Sequence, residues 1–112
     1  MCVSSPAQQG NQMAKTPEKI VKDMCVAVLK TYGAYHFFPV MGGYGRSGVP
    51  DIIACLNGKF IAIECKAGFN KTTPLQDKEL AAISAAGGTT LVVREDTINL
   101  LIDTLRSIKH GL

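Results

Sequence analysis

The stretch GVPDIIACLNGKFIAIECKAG, Gly48 to Gly68, reads as two apolar strands that meet at Asn57-Gly58. Asn-Gly between apolar runs is the strongest short-range hairpin signal, because both central residues of a type I′ turn need positive φ. The turn predicts a register in which Leu56 faces Lys59, Cys55 faces Phe60, Ala54 faces Ile61, Ile53 faces Ala62, Ile52 faces Ile63 and Asp51 faces Glu64. Side chains alternate with period two, so Lys66 shares a face with Glu64 and Cys65 points away. One end of the hairpin therefore carries two opposed acids and a lysine.

Opposed side chains stand about 5 Å apart, and at an effective dielectric of about 20 two like charges there repel by roughly 3 kcal/mol. That is a large fraction of the stability of a small domain. A shared proton, the nearby lysine or a divalent cation with oxygen ligands would each offset it. A longer loop or a bulge would slide the register and turn one acid to the opposite face.

Outward from the hairpin, the chain punctuates itself clearly. Thr16-Pro17-Glu18 starts a helix, with an apolar stripe through Ile20, Val21, Met24, Cys25, Val28 and Leu29 and a stop at Gly33. Glu18 lies along the buried edge of that stripe, where it is either a first-turn acid favoured by the helix dipole or a functional residue. A short strand is expected around residues 35–40. Gly43 to Gly48 formally matches GxGxxG, but a dinucleotide loop must open a helix, whereas Val49-Pro50 leads into a strand. The glycines let backbone approach a ligand closely, with Tyr44, Arg46 and Ser47 available to phosphates or sugars; a merely flexible connection is the competing reading.

Both faces of the hairpin are apolar, which predicts cover on both sides by helices. Thr73-Pro74 starts a second helix with Gln76 in its first turn, TTLVVRE is a third core strand, and a last helix is expected from Asp96 as its cap. The order is that of an α/β sandwich with a mixed central sheet flanked by helices. Residues 1–14 read as a polar flexible tail and residues 15–112 as one domain.

Composition excludes some classes. With 46% apolar and 19% charged residues the chain is globular, and no apolar run approaches the roughly 20 residues of a membrane span. The N-terminus lacks a basic region followed by an apolar core, so a cytoplasmic protein is expected. The four cysteines show no CxxC spacing, which argues against zinc. Net charge is +3, yet residues 1–71 hold eight Lys/Arg against four Asp/Glu. That half suits a polyanion, and Lys71 belongs to it, although on charge alone ordinary solvated lysines are the favoured reading.

VPD, twelve residues, then ECK resembles the PD-(D/E)xK nuclease motif. With GGYGRSGVPD, AIECKAG and PLQ in order, the chain resembles more closely the virus-type replication-repair nuclease (VRR-NUC) domain in its small, stand-alone, phage-like form. The resemblance implies a restriction-endonuclease-like α-β-β-β-α-β core. It implies that Asp51 and Glu64 bind Mg²⁺ or Mn²⁺ with the backbone carbonyl of Cys65, that Lys66 orients the attacking water, and that Gln76 helps to position that water or the lysine. Glu18 matches the first-helix acid that completes the metal site in related resolvases. The implied activity is metal-dependent cleavage of DNA, with branched DNA such as Holliday junctions as substrate, a homodimer as the working unit and, for a phage protein, the bacterial cytoplasm as its place. The alternative is a nucleic-acid-binding module of the same fold without cleavage.

Overall fold

The computed structural model describes residues 15–40 and 45–111. Helix α1 (Pro17–Tyr32) begins where Thr16 Oγ1 accepts the Lys19 N–H at 3.1 Å. It stops at Gly33, whose φ of 74° lets the next N–H, of Ala34, reach back to Leu29 O. Of its apolar stripe Val21, Cys25 and Leu29 are buried, while Ile20 remains half exposed. Strand β1 (Tyr35–Phe37) is shorter than expected.

Strands β2 (Ile52–Leu56) and β3 (Lys59–Cys65) form the hairpin in the expected register, from Leu56 opposite Lys59 to Ile52 opposite Ile63. Asn57 and Gly58 take φ of 50° and 80°, as a type I′ turn demands. Asn57 also donates its side-chain amide to Ile108 O, which ties the turn to the last helix.

Helix α2 (Pro74–Ala85) crosses from β3 to β4 (Thr89–Val93), and β3 and β4 pair in parallel. The sheet order is β1-β2-β3-β4, antiparallel except for that last pair, so the sheet is mixed. Helix α3 (Ile98–Lys109) closes the described chain. Asp96 does not cap it. Thr97 holds the cap position without a side-chain cap bond, because its hydroxyl is taken by the Arg94 N–H at 2.8 Å.

The two faces of the sheet are covered unequally. Ile52, Ala54, Ile61, Ile63, Cys65 and Val93 pack against α1 and α3 in one continuous core. On the opposite face α2 covers Ala62 and the β3–β4 side, while Tyr35, Phe37, Cys55 and Phe60 stay exposed. The expectation of helices over both faces therefore holds for the first face and only part of the second. α2 is 12 residues long and is tethered at β4, so it does not reach β1.

Candidate active site

Asp51 ends the loop that leads into β2. Gly48 in that loop has φ of +80°, and a Cβ there would meet the Leu75 backbone at 2.6 Å, so the loop lies hard against the first turn of α2. Here the glycine serves an approach of the chain to itself. From that position Asp51 Oδ2 accepts the backbone N–H of Cys65 at 2.8 Å. The side chain thereby extends the pairing one step beyond Ile52–Ile63 and brings its carboxyl beside Glu64.

Glu64 is only 2% exposed. Its Oε2 accepts a hydrogen bond from Gln76 Nε2 at 2.9 Å and lies 3.8 Å from Lys66 Nζ, while its Oε1 is buried with no partner. Burial first, and the Asp51 charge second, push the Glu64 carboxyl up to about 8; Lys66 pulls it down, and the charge of Glu18 pushes it up further. At neutral pH and without a cation, the Glu64 carboxyl therefore keeps its proton. Lys66, 7% exposed, is as buried as lysines become when they are paired.

Gln76 has two tasks. Its Oε1 accepts the Thr73 N–H at 2.9 Å while the Thr73 hydroxyl accepts the Gln76 N–H at 3.2 Å, a complete capping box at the start of α2. Its Nε2 is left to hold Glu64. The residue steers the acid, where the family resemblance implies that it steers water or lysine.

Glu18 stands nearby. Its Oε2 accepts from Asn70 Nδ2 at 3.4 Å, and its charge reaches Glu64. Among the described residues no three His, Cys, Asp or Glu side chains gather as a metal-binding group. Asp51 and Glu64 are the two carboxylates brought together here, and as oxygen donors the pair fits a hard divalent cation. It offers carboxylate oxygens, one of them buried and unpartnered, and leaves the other positions to water, substrate or a backbone carbonyl such as that of Cys65. The Cys65 thiol faces the core on the far side.

The candidate nucleic-acid residues are scattered. Arg46 pairs with Glu79 at 3.2 Å and lines a groove with Phe60 and Ile83, away from the acids. Ser47 and Lys71 are exposed in loops before β2 and α2. Tyr44, like the tail of residues 1–14, lies outside the described residues.

Two residues come to the site unheralded. Lys22, one turn beyond Glu18, lines a cleft of about 350 Å³ together with Asp51 and Gln76. Its Nζ sits 4.3 Å above the Phe38 ring and makes no ion pair among the described residues. Arg94 follows Val93, the parallel partner of Cys65, and so reaches the Lys66 end of the sheet with its Nη1 buried and unpartnered. Position i+4 from Glu18 was the only signal for Lys22. Nothing local marked Arg94.

Known proteins share this architecture. A solved structure described as a VRR_NUC domain superposes with a TM-score of 0.63 at 21% identity, covering 88% of this chain and all of that one. The fold is that of a VRR-NUC domain. The Holliday junction resolvase Hjc of Archaeoglobus fulgidus superposes with a TM-score of 0.54 at 18% identity, over 68% of this chain and 66% of its own. In sequence, “Putative nuclease p44” of Acyrthosiphon pisum secondary endosymbiont phage 1 is 41% identical over 59 residues, which are 52% of this chain. The match spans 63% of that relative's length, less than two thirds. No family model matches the chain. Among the described residues, no helix of this VRR-NUC fold is long and apolar enough to cross a membrane.

Proposed function

We propose that this protein is a Mg²⁺- or Mn²⁺-dependent endonuclease that hydrolyses phosphodiester bonds in DNA. The observation that carries the reading is the buried, unpartnered Glu64 Oε1 beside Asp51 and Lys66. A buried polar atom without a partner costs on the order of 1–3 kcal/mol, a cost that a bound cation removes. The phage relative called “Putative nuclease p44” supports the choice of chemistry, and the VRR_NUC fold is consistent with it.

Asp51 and Glu64 would hold the cation, with the Cys65 carbonyl and Glu18 as candidates for further contacts. A cation bound there would supply charge to neutralise a phosphoryl oxygen and would lower the pKa of a coordinated water. Asp51 is kept in place by the Cys65 N–H, and Glu64 by Gln76. Lys66, with Nζ 3.8 Å from Glu64 Oε2, acts by electrostatic positioning of water and phosphate. Lys22, free of ion pairs among the described residues, supplies a phosphate contact from α1.

Branched DNA is the proposed substrate, by analogy with the Holliday junction resolvase that shares the fold. Symmetric cutting of a four-way junction calls for two sites, hence a C2 homodimer, and Tyr35, Phe37, Cys55 and Phe60 offer it an apolar face. The bacterial cytoplasm is the proposed setting.

The test is incubation with labelled linear, nicked, flap and four-way DNA in Mg²⁺, Mn²⁺ or EDTA, beside Asp51→Ala and Lys66→Ala. Cutting that needs metal and vanishes in both variants is expected. Binding without any cutting by the wild type would leave a binding module instead. Lys22→Ala should weaken DNA binding and lower the slope of log affinity against log salt by about one.

A further inference from the structure

Three residues after Lys66, Phe69 is 99% exposed. It does not stand on a loose loop. Ala67 to Asn70 form a β-turn closed by the Asn70 N–H on Ala67 O at 3.1 Å, with Gly68 at φ of +57° and Phe69 as its second central residue. Both flanks of the turn are tied down: the Gly68 N–H donates to Glu95 Oε1 at 2.9 Å, and Asn70 Nδ2 to Glu18 Oε2 at 3.4 Å. The ring contributes nothing to the core, yet the chain fixes the turn that displays it.

The turn walls a groove of about 640 Å³ that runs to Pro17 and Glu18 on α1 and to Glu95. Its chemistry is apolar surface edged with carboxylate and amide acceptors, and Glu18 and Glu95 would repel a phosphate there. A nucleobase fits instead, because its π-face stacks on an aromatic ring and its amino groups donate to acidic oxygens. Resting on the DNA reading above, we propose that Phe69 is a stacking platform for an unpaired base near the branch point, and that the protein distinguishes branched from fully paired DNA through it. Three residues of chain span at most about 10 Å, and a stacked strand advances about 3.4 Å per nucleotide. With the two side chains added to that span, the base lies a few nucleotides from the phosphate held at Lys66.

The experiment measures binding in EDTA, where no cutting intervenes, of a four-way junction, a flap and a fully paired duplex to wild type, Phe69→Ala and Phe69→Trp. Phe69→Ala should lose about fivefold or more of the affinity for branched DNA while duplex affinity holds, and Phe69→Trp should retain the preference. Photocrosslinking of 5-iododeoxyuridine, placed at each of the three nucleotides beside the cut, should label the peptide that contains Phe69. Equal affinities for wild type and Phe69→Ala on every DNA would overturn the proposal, as would a Phe69→Ala protein whose sole defect is lost self-association. If the wild type binds branched DNA through Phe69 but never cuts, stacking stands and the nuclease reading falls. Cutting with a preference that ignores Phe69 leaves the nuclease standing and removes the stacking platform, and no DNA binding at all removes both.

Discussion

The two ends of one hairpin are built on opposite terms. At the turn, Asn57 and Gly58 adopt the left-handed conformations that suit them, and Asn57 ties the turn to α3 through Ile108 O. At the open end, Glu64 is buried beside Asp51 with a carboxylate oxygen left unpartnered. The closed end specifies the register, and the register then forces the conflict at the open end. Stability and chemistry are thus assigned to opposite ends of the same 15 residues, Asp51 to Cys65.

Removing the conflict is the strongest way to break this contrast. Glu64→Gln should cut DNA cleavage by about a thousandfold, as loss of a group that organises charge at a reacting phosphate does. It should also make the metal-free protein more stable in alkali. Glu64 has its carboxyl raised from 4.5 to about 8 in the fold, so the folded state holds the extra proton. Its stabilising contribution is complete below about 4.5 and is lost as pH rises through about 8. The melting temperature of the wild type in EDTA should fall across that window, the variant should stay flat, and Mg²⁺ should restore only the wild type. Calorimetry at pH 5 and pH 8.5 tests all three.

A smaller effect sharpens the contrast from the side. Gln76→Ala should raise the Mg²⁺ concentration needed for half-maximal cutting by about 10- to 100-fold, since it frees the carboxylate without removing it. Titration of activity against Mg²⁺ measures the change, and an unchanged requirement would detach Gln76 from the site. Gly58→Ala should be mildest for function. It forces a Cβ into φ of 80° and should cost about 1–2 kcal/mol in denaturant unfolding, with the Mg²⁺ requirement unaltered.

The hairpin was legible in the sequence because both of its determinants are local: a turn dipeptide with a steric demand, and a side-chain period of two. The capped starts of α1 and α2 were legible for the same reason, since Thr16-Pro17 and Thr73-Pro74 carry their own hydrogen-bond chemistry. What escaped depends on how the elements meet. The open half of the second sheet face follows from where α2 lies, the Arg46–Glu79 pair from the same placement, and Lys22 above Phe38 from the angle between α1 and the chain after β1. The cap of α3 failed for a different reason. Thr97 had two partners to choose between, and it took the strand end in place of the helix.

Gln76 gives the site a thermal fuse. The amide group that steadies Glu64 also closes the first turn of α2, so any fraying of those residues releases the carboxylate before the rest of the molecule loosens. Heating should silence such a protein while its sheet is still intact, and amide exchange at Thr73 and Gln76 would record the moment.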